Sequence, residues 1–91
     1  MKFRFHKGSL EESLKTQIEV NTIEELISAI ENYYSDTNQN KIVNLKFEYA
    51  GYDKRIDWNT YYVLVKLNNS SQFFVAGMSD GKMDNFNVND Y

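Results

Sequence analysis

His6 is the only histidine of the chain, and hydroxyl and carboxylate side chains follow it closely. The neighbours that matter for chemistry are two serines and two glutamates: Ser9, Glu11, Glu12 and Ser13. A histidine base, a serine nucleophile and a carboxylate that orients the ring are the parts of a hydrolase site. Ser9 has a simpler explanation as a helix cap, and no strand–turn–helix signature surrounds a nucleophile. The favoured interpretation of His6 is therefore an exposed residue at a strand end, and a small hydrolase stays an alternative.

Residues 51–58 have the most unusual composition. They combine two basic residues and two acidic residues with a tyrosine and the only tryptophan: Tyr52, Asp53, Lys54, Arg55, Asp57 and Trp58. Tyr, Trp and Arg are the residue types that dominate binding hot spots. Lys54 and Arg55 can hold an anion, with Tyr52 and Trp58 as stacking surfaces for bases. The competing interpretation is a hairpin loop whose charges pair with each other and whose Trp58 folds back on the core.

Metal and nucleotide sites find little support in the sequence. The chain contains no cysteine, and Asp80, Asp84 and Asp90 lack the regular spacing and closing glutamate of a calcium loop. The four glycines are scattered, so no glycine-rich phosphate loop opens a helix. We expect no catalytic residue, no metal and no cofactor. The candidate partner-binding residues come from the two segments above: His6, Lys7, Tyr52, Lys54, Arg55 and Trp58.

Composition and charge limit the classes of function. The 91 residues fit one domain, 1–91, and a content of 42% hydrophobic and 25% charged residues is ordinary for a globular protein. The net charge of −3 and the pI near 5.0 argue against a broad electrostatic contact with nucleic acid. No apolar run is long enough to span a membrane, and no secretory signal is visible. Together with the absence of cysteine, this predicts a cytoplasmic protein.

Two stretches have the spacing of a helix. Thr22 and Glu25 form a capping box, and an apolar stripe of helical period extends the predicted helix over residues 21–36. The same box spacing recurs at the start of residues 9–14 and predicts a short helical turn there. Only the longer helix has an apolar stripe wide enough to cover a sheet.

Alternating polar and apolar residues predict five strands: 2–6, 16–20, 41–49, 58–67 and 72–78. The segments that separate the later elements are a polar stop, a loop and a turn: 35–40, 50–57 and 68–71. Residues 79–91 are predicted to be either a short edge strand or a loose tail.

The element order ββαβββ predicts an α+β domain, in which a mainly antiparallel sheet carries one helix packed on one face. A hairpin, a helix and further strands are also how a β-grasp domain begins, so a β-grasp-like arrangement is one form of this fold. The predicted core consists of inward-facing apolar residues: Phe3, Phe5, Ile18, Val20, Ile23, Leu26, Ile27, Ile30, Val43, Leu45, Phe47, Val63, Val65 and Val75. The second sheet face has mixed polarity, which is consistent with a homodimer formed through Tyr62, Leu64, Phe74 and Met78.

Three segments together resemble a known group of proteins: FRFHKGSLEES at 3–13, YDKRIDWNT at 52–60 and GMSDG at 77–81. They are similar to small accessory proteins of conjugative transposons, plasmids and prophages of low-GC Gram-positive bacteria. The likeness covers most of the chain in order. No activity is established for that group, so the resemblance implies a setting, a cytosolic accessory factor of a mobile genetic element, and gives no residue a role.

The function that these observations favour is a non-enzymatic protein-binding module, with contacts from residues 7–14 and 52–58. The alternative is a nucleic-acid-associated factor, which either stacks on single strands or mimics DNA towards a defence protein. Asp53 and Asp57 cancel much of the positive charge in residues 52–58, so direct binding of nucleic acid is the weaker hypothesis.

Overall fold

Five strands and two helices make up the described part of the chain, residues 1–34 and 41–83 of the computed structural model. In chain order they are β1 Lys2–Phe5, α1 Leu10–Leu14, β2 Ile18–Glu19, α2 Ile23–Tyr33, β3 Ile42–Asp53, β4 Trp58–Leu67 and β5 Phe74–Ser79. All strand pairs are antiparallel, in the order β2-β1-β5-β4-β3. The predicted α+β fold with an antiparallel sheet is confirmed, and the hairpin, helix and further strands that suggested a β-grasp-like arrangement are present in that order.

Both helices begin at their predicted caps. The Thr22 hydroxyl accepts the N–H of Glu25 at 3.1 Å, and the Glu25 carboxylate accepts the N–H of Asn21 at 2.8 Å. The Ser9 hydroxyl accepts the N–H of Glu12 at 3.2 Å. Such caps satisfy amide groups that lack a partner within the helix. They therefore fix where α1 and α2 start, and α1 begins directly after the loop that follows β1.

The apolar stripe of α2 covers one face of the sheet, called here the inner face. Leu26 and Ile30 of the helix are buried against side chains of the sheet and of the segment before α2: Phe3, Phe5, Val20, Leu45, Phe47, Val63 and Val65. Half-buried residues extend this cluster as predicted: Ile18, Ile23 and Ile27. The burial of this apolar surface is the main source of the fold's stability.

Two predicted core residues are wrong, because irregular pairing moves them off the inner face. The register between β3 and β4 shifts next to Val43, so Val43 is 53% exposed and Ile42 packs against the core instead. Ala76 has no partner residue on β4 and is fully buried, whereas Val75 is only half-buried. One extra residue in a strand reverses the alternation of faces, and the sequence pattern does not reveal where it lies.

The loop predicted at residues 50–57 is also wrong, because β3 continues to Asp53 and leaves only residues 54–57 between the strands. Gly51 adopts a φ of 111° at a second register shift, so it forms a bulge within the strand rather than a turn. Asp57 closes the hairpin at a φ of 56°, a conformation that Asp tolerates better than most residues. The longer hairpin places residues 52–55 at the end of two paired strands.

The prediction of a tail or edge strand at 79–91 falls largely outside the described residues, as does the polar stop at 35–40. The described part of the tail is docked, since the Asp80 carboxylate accepts the N–H groups of Lys2 and Lys82, each at 3.0 Å. Within residues 1–34 and 41–83, neither helix has the length and apolar content needed to cross a membrane.

Candidate functional site

The sheet face opposite α2, called here the outer face, carries a cavity of about 540 Å³. Two loops form its rim: residues 6–9 after β1, and residues 52–55 at the end of the β3–β4 hairpin. The floor consists of outward-facing strand residues: Arg4, Thr60, Tyr62 and Met78. Because most of the charged side chains around this cavity are cations, we call it the basic pocket.

The sheet register sets the arrangement of the floor. Arg4 pairs with Met78, and Met78 pairs with Tyr62, so these three residues form a row across β1, β5 and β4. Thr60 and Trp58 share that face of β4, since side chains alternate along a strand. The Arg4 guanidinium carbon lies 4.5 Å from the centre of the Trp58 ring. The Arg4 side chain therefore reaches from β1 to the Trp58 ring of β4.

Arg4 is a buried cation for which residues 1–34 and 41–83 supply no anionic partner. The residue is 3% exposed, its Nη2 donates to the Met78 sulfur at 3.4 Å, and its Nη1 has no hydrogen-bond partner. Among the described residues, no carboxylate lies within ion-pair distance of it. Burial lowers the pKa of the Arg4 guanidinium, which the charge of Asp53 raises and that of Arg55 lowers further. A buried charge without a partner is costly, so Arg4 needs an explanation beyond packing.

Thr60 repeats this pattern beside Arg4. It is 6% exposed, and its hydroxyl oxygen has no hydrogen-bond partner in the described part of the chain. A third buried polar atom without a partner among the described residues, the Ser79 hydroxyl oxygen, lies elsewhere, on the inner face opposite Phe3. Buried polar groups in native proteins are nearly always hydrogen-bonded. Two unpaired polar groups in the same floor therefore single out the basic pocket.

The loop after β1 contributes the first part of the rim, with His6 and Lys7 exposed. A hydrogen bond with Tyr33 raises the pKa of Lys7, whose ammonium nitrogen lies 4.8 Å from the centre of the Tyr33 ring. The Ser13 hydroxyl accepts the backbone N–H of Lys7 at 3.2 Å, and the Ser9 hydroxyl caps α1. Both serine hydroxyls therefore accept hydrogen bonds from backbone N–H groups. In the described part of the chain, no hydrogen bond joins either of them to the His6 ring.

The end of the hairpin contributes the second part of the rim, and its charges are largely paired. Arg55 donates from Nε and Nη2 to the two carboxylate oxygens of Asp53, at 3.0 and 2.7 Å. These bonds lower the pKa of Asp53 to about 2. The Tyr52 hydroxyl donates to Asp57, which raises the pKa of Tyr52. Lys54 is exposed and has no partner among the described residues, so it is the one hairpin cation left for a ligand.

The charge of the basic pocket is opposite to that of the whole chain. Four Lys or Arg side chains and one Asp line it, which gives a formal charge of +3 in a chain of −3. The residues outside the pocket therefore carry −6. Since Asp53 neutralises Arg55, the unmatched cations are Arg4 on the floor and Lys7 and Lys54 on the rim. This concentration of positive charge favours a compact anion as ligand.

The structure brings five of the six candidate residues to the rim of one pocket: His6, Lys7, Tyr52, Lys54 and Arg55. Trp58 is 8% exposed and lies under Arg4, so it supports the floor and offers no free stacking surface. Sequence reasoning missed Arg4 and Thr60, because both follow the ordinary alternation of a strand with a wet face. The burial of Arg4 and Thr60 is visible only in the folded structure.

Side chains that bind metals do not come together in residues 1–34 and 41–83, where no three His, Asp or Glu residues form a group. Of the three aspartates considered for a calcium loop, Asp80 accepts backbone N–H groups, and Asp84 and Asp90 lie outside the described residues.

Comparison with known proteins identifies no relative. No protein family, no curated protein and no solved structure matches this chain. Its function is therefore inferred from the basic pocket itself.

Proposed function

We propose that this protein is a non-enzymatic binding module that holds an acidic segment of a partner protein in the basic pocket. Arg4 carries the proposal, because it is buried, keeps an unpaired Nη1 and has no carboxylate within ion-pair distance among the described residues. A carboxylate or another anion from a partner would supply the negative charge and the hydrogen-bond acceptor that Arg4 lacks among the described residues. Hydrogen bonds to charged groups are among the stronger ones, at about 1.5–3 kcal/mol each.

The residues of the rim favour a protein as the source of that anion. Tyr52 is 52% exposed beside Lys54, and Tyr, like Arg, is enriched in the hot spots of protein interfaces. Lys7 lies on the opposite loop, so a segment that enters the pocket meets cations from two sides. The volume of about 540 Å³ is within the range of sites that enclose a side chain or small ligand.

Nucleic acid is the weaker alternative for the same pocket. A long polyanion would contact surface beyond the rim, where the remaining residues carry a formal charge of −6. Proteins that track a phosphate backbone need an extended basic groove. Trp58, the residue best suited to stack on a base, is buried under Arg4.

The setting we propose is the cytoplasm of a Gram-positive bacterium, where the protein acts as an accessory factor of a mobile genetic element. The support is the resemblance of residues 3–13, 52–60 and 77–81 to accessory proteins of such elements. Two of these segments contain the two loops that form the rim of the basic pocket.

The test is a titration of the ¹⁵N-labelled protein with the capped peptide Gly-Glu-Glu-Glu-Gly, followed by amide chemical shifts. We expect saturable shifts at Thr60, Lys54 and Lys7, and weaker binding by Lys54→Ala. Lys41→Ala is the matched control, since Lys41 is an exposed lysine just before the far end of β3. The same shifts with the neutral peptide Gly-Gln-Gln-Gln-Gly, or none with either peptide, would refute the proposal.

A homodimer through the outer face would compete with this function. Tyr62 and Met78 lie in the pocket floor, and Leu64 is half-buried on the same face. Phe74, predicted to belong to this surface, pairs with Val65 on the inner face instead. Sedimentation equilibrium with and without the acidic peptide measures the competition, since a dimer formed through this face would dissociate as the pocket fills.

A further inference from the structure

Two hydrogen-bond donors in the floor of the basic pocket have no partner among residues 1–34 and 41–83. Arg4 Nη1 and the Thr60 hydroxyl are both unpaired, and both residues are more than nine-tenths buried. The Arg4 guanidinium reaches the Trp58 ring, and Thr60 lies between Trp58 and Tyr62 on the same face of β4. A ligand group that satisfies both donors must place acceptor oxygens within reach of both.

The charge around the floor indicates how negative that group is. Arg4, Lys7 and Lys54 remain as unmatched cations once Asp53 has neutralised Arg55. A carboxylate brings one negative charge and two oxygens. A phosphomonoester brings a charge of about −1.5 to −2 at pH 7 and three strong acceptor oxygens. The phosphomonoester therefore matches three cations and an added hydroxyl donor better than a carboxylate does.

From these observations we propose that the acidic group held by the basic pocket is a phosphomonoester on a side chain of the partner protein. The inference rests on the proposed function and specifies its ligand. Recognition of phosphorylated segments by clustered basic residues is a common mode of peptide binding. The formal charge of −6 outside the pocket disfavours the repeated phosphates of a nucleic acid but not a single phosphate.

Access to the two unpaired floor atoms requires side chains to move. Neither atom is exposed to water in the structure, so a phosphate contacts them only after the side chains that cover them shift. The cations of the rim can follow the ligand, because Lys54 is exposed and the Arg55 side chain is 69% exposed. In the bound state Arg4 and Thr60 donate from below, and Lys54 and Lys7 close from the two sides.

The experiment measures affinity by calorimetry for matched capped peptides, Gly-Gly-X-Gly-Gly, in which X is phosphoserine, glutamate or serine. We expect the phosphoserine peptide to bind at least about tenfold more tightly than the glutamate peptide. Thr60→Val removes the hydroxyl with little change of shape, and we expect it to lower the affinity for the phosphoserine peptide about tenfold. Lys54→Ala tests the rim at an exposed residue, where the substitution should leave the fold intact. Lys41→Ala lies outside the pocket and should change the affinity for the phosphopeptide less than twofold.

Each outcome separates the two proposals. Equal affinity for the phosphoserine and glutamate peptides would overturn the phosphomonoester and leave the acidic-segment function standing. No binding of either peptide would overturn both. A 5′-phosphorylated octathymidylate that binds more tightly than the phosphopeptide, with a steep salt dependence, would assign the pocket to nucleic acid and overturn the proposal.

Discussion

The two faces of the same sheet are built by different rules. On the inner face, Phe3, Leu45 and Val63 are fully buried under α2 and make the apolar contacts expected of a core. On the outer face, Arg4 and Thr60 are also buried, yet each keeps a polar atom without a partner. Among the described residues, the inner face is therefore apolar apart from the unpaired Ser79 hydroxyl, whereas the outer face buries a charged guanidinium and a hydroxyl together in the floor of one pocket.

We interpret this difference as a division of roles, in which the inner face stabilises the fold and the outer face binds a ligand. A sequence that specifies one fold satisfies its buried groups nearly everywhere, and exceptions concentrate where a ligand acts. Replacing a buried ion by an apolar residue of similar size is often neutral or stabilising. The inner face should therefore be sensitive to any loss of volume, whereas the outer face should tolerate the loss of its charge.

Loss of side-chain volume on the inner face should destabilise the protein more than any other change considered for this sheet. Leu26→Ala removes a fully buried side chain at the centre of the contact between α2 and the sheet. The lost burial and the remaining cavity should lower the free energy of unfolding by about 3 kcal/mol. Urea denaturation measures this, with Val43→Ala as the control, because Val43 is exposed and should change stability by less than about 0.5 kcal/mol. Equal effects of the two substitutions would contradict the assignment of the inner face.

A second substitution tests how tightly β1 and β5 are packed. A Cβ atom at Gly77 would overlap the Arg4 carbonyl oxygen and lie 2.6 Å from Cζ of Phe3. Gly77→Ala should therefore destabilise the protein by about 2 kcal/mol, through strain rather than through a cavity. Gly8→Ala is the matched control, since a Cβ there meets nothing closer than the Glu12 carboxylate at 4.0 Å. An unchanged urea midpoint for Gly77→Ala would show that this contact relaxes easily.

The contrast between the two faces also explains which parts of the structure could be predicted from the sequence. The inner face was largely predictable, because the apolar stripe of α2 and the alternation in β1 and β4 have clear periods. The errors at Val43 and Val75 come from bulges, which add a residue without a compositional signal. The long hairpin was missed because Gly51 is as typical of a turn as of a bulge.

The site was predictable only in part. Residue types alone identified the rim, since Tyr52, Lys54 and Arg55 have the composition of a contact surface. They did not reveal that the loop after β1 would meet the hairpin, which depends on the strand order. Arg4 and Thr60 have no local signal, because their burial results from packing between residues far apart in the chain.

A smaller effect tests the pairing on the rim. The bonds from Arg55 hold the pKa of Asp53 near 2, below the 3.8 expected without them. The stabilisation that this pair gives is present above about pH 4 and is lost as the pH falls from 4 to 2. The difference in unfolding free energy between wild type and Arg55→Ala should therefore shrink in that window, and it should be small because Arg55 is exposed.

The control for this pH dependence is Lys41→Ala, which leaves the other acidic groups to titrate as in the wild type. Its difference from wild type should stay constant between pH 4 and pH 2. If the Arg55→Ala difference also stays constant, the pair between Asp53 and Arg55 does not persist in solution.

The most direct test of the account is Arg4→Met, measured by urea unfolding with and without the phosphoserine peptide. Methionine replaces the unbranched stem of Arg4 with a flexible apolar side chain and removes the buried charge that lies against Trp58. We predict that the variant without peptide is as stable as wild type within about 1 kcal/mol, or more stable. We also predict that the peptide stabilises only the wild type. A variant that loses more than about 2 kcal/mol, and that the peptide stabilises as much as the wild type, would show that Arg4 holds the fold together and binds no anion.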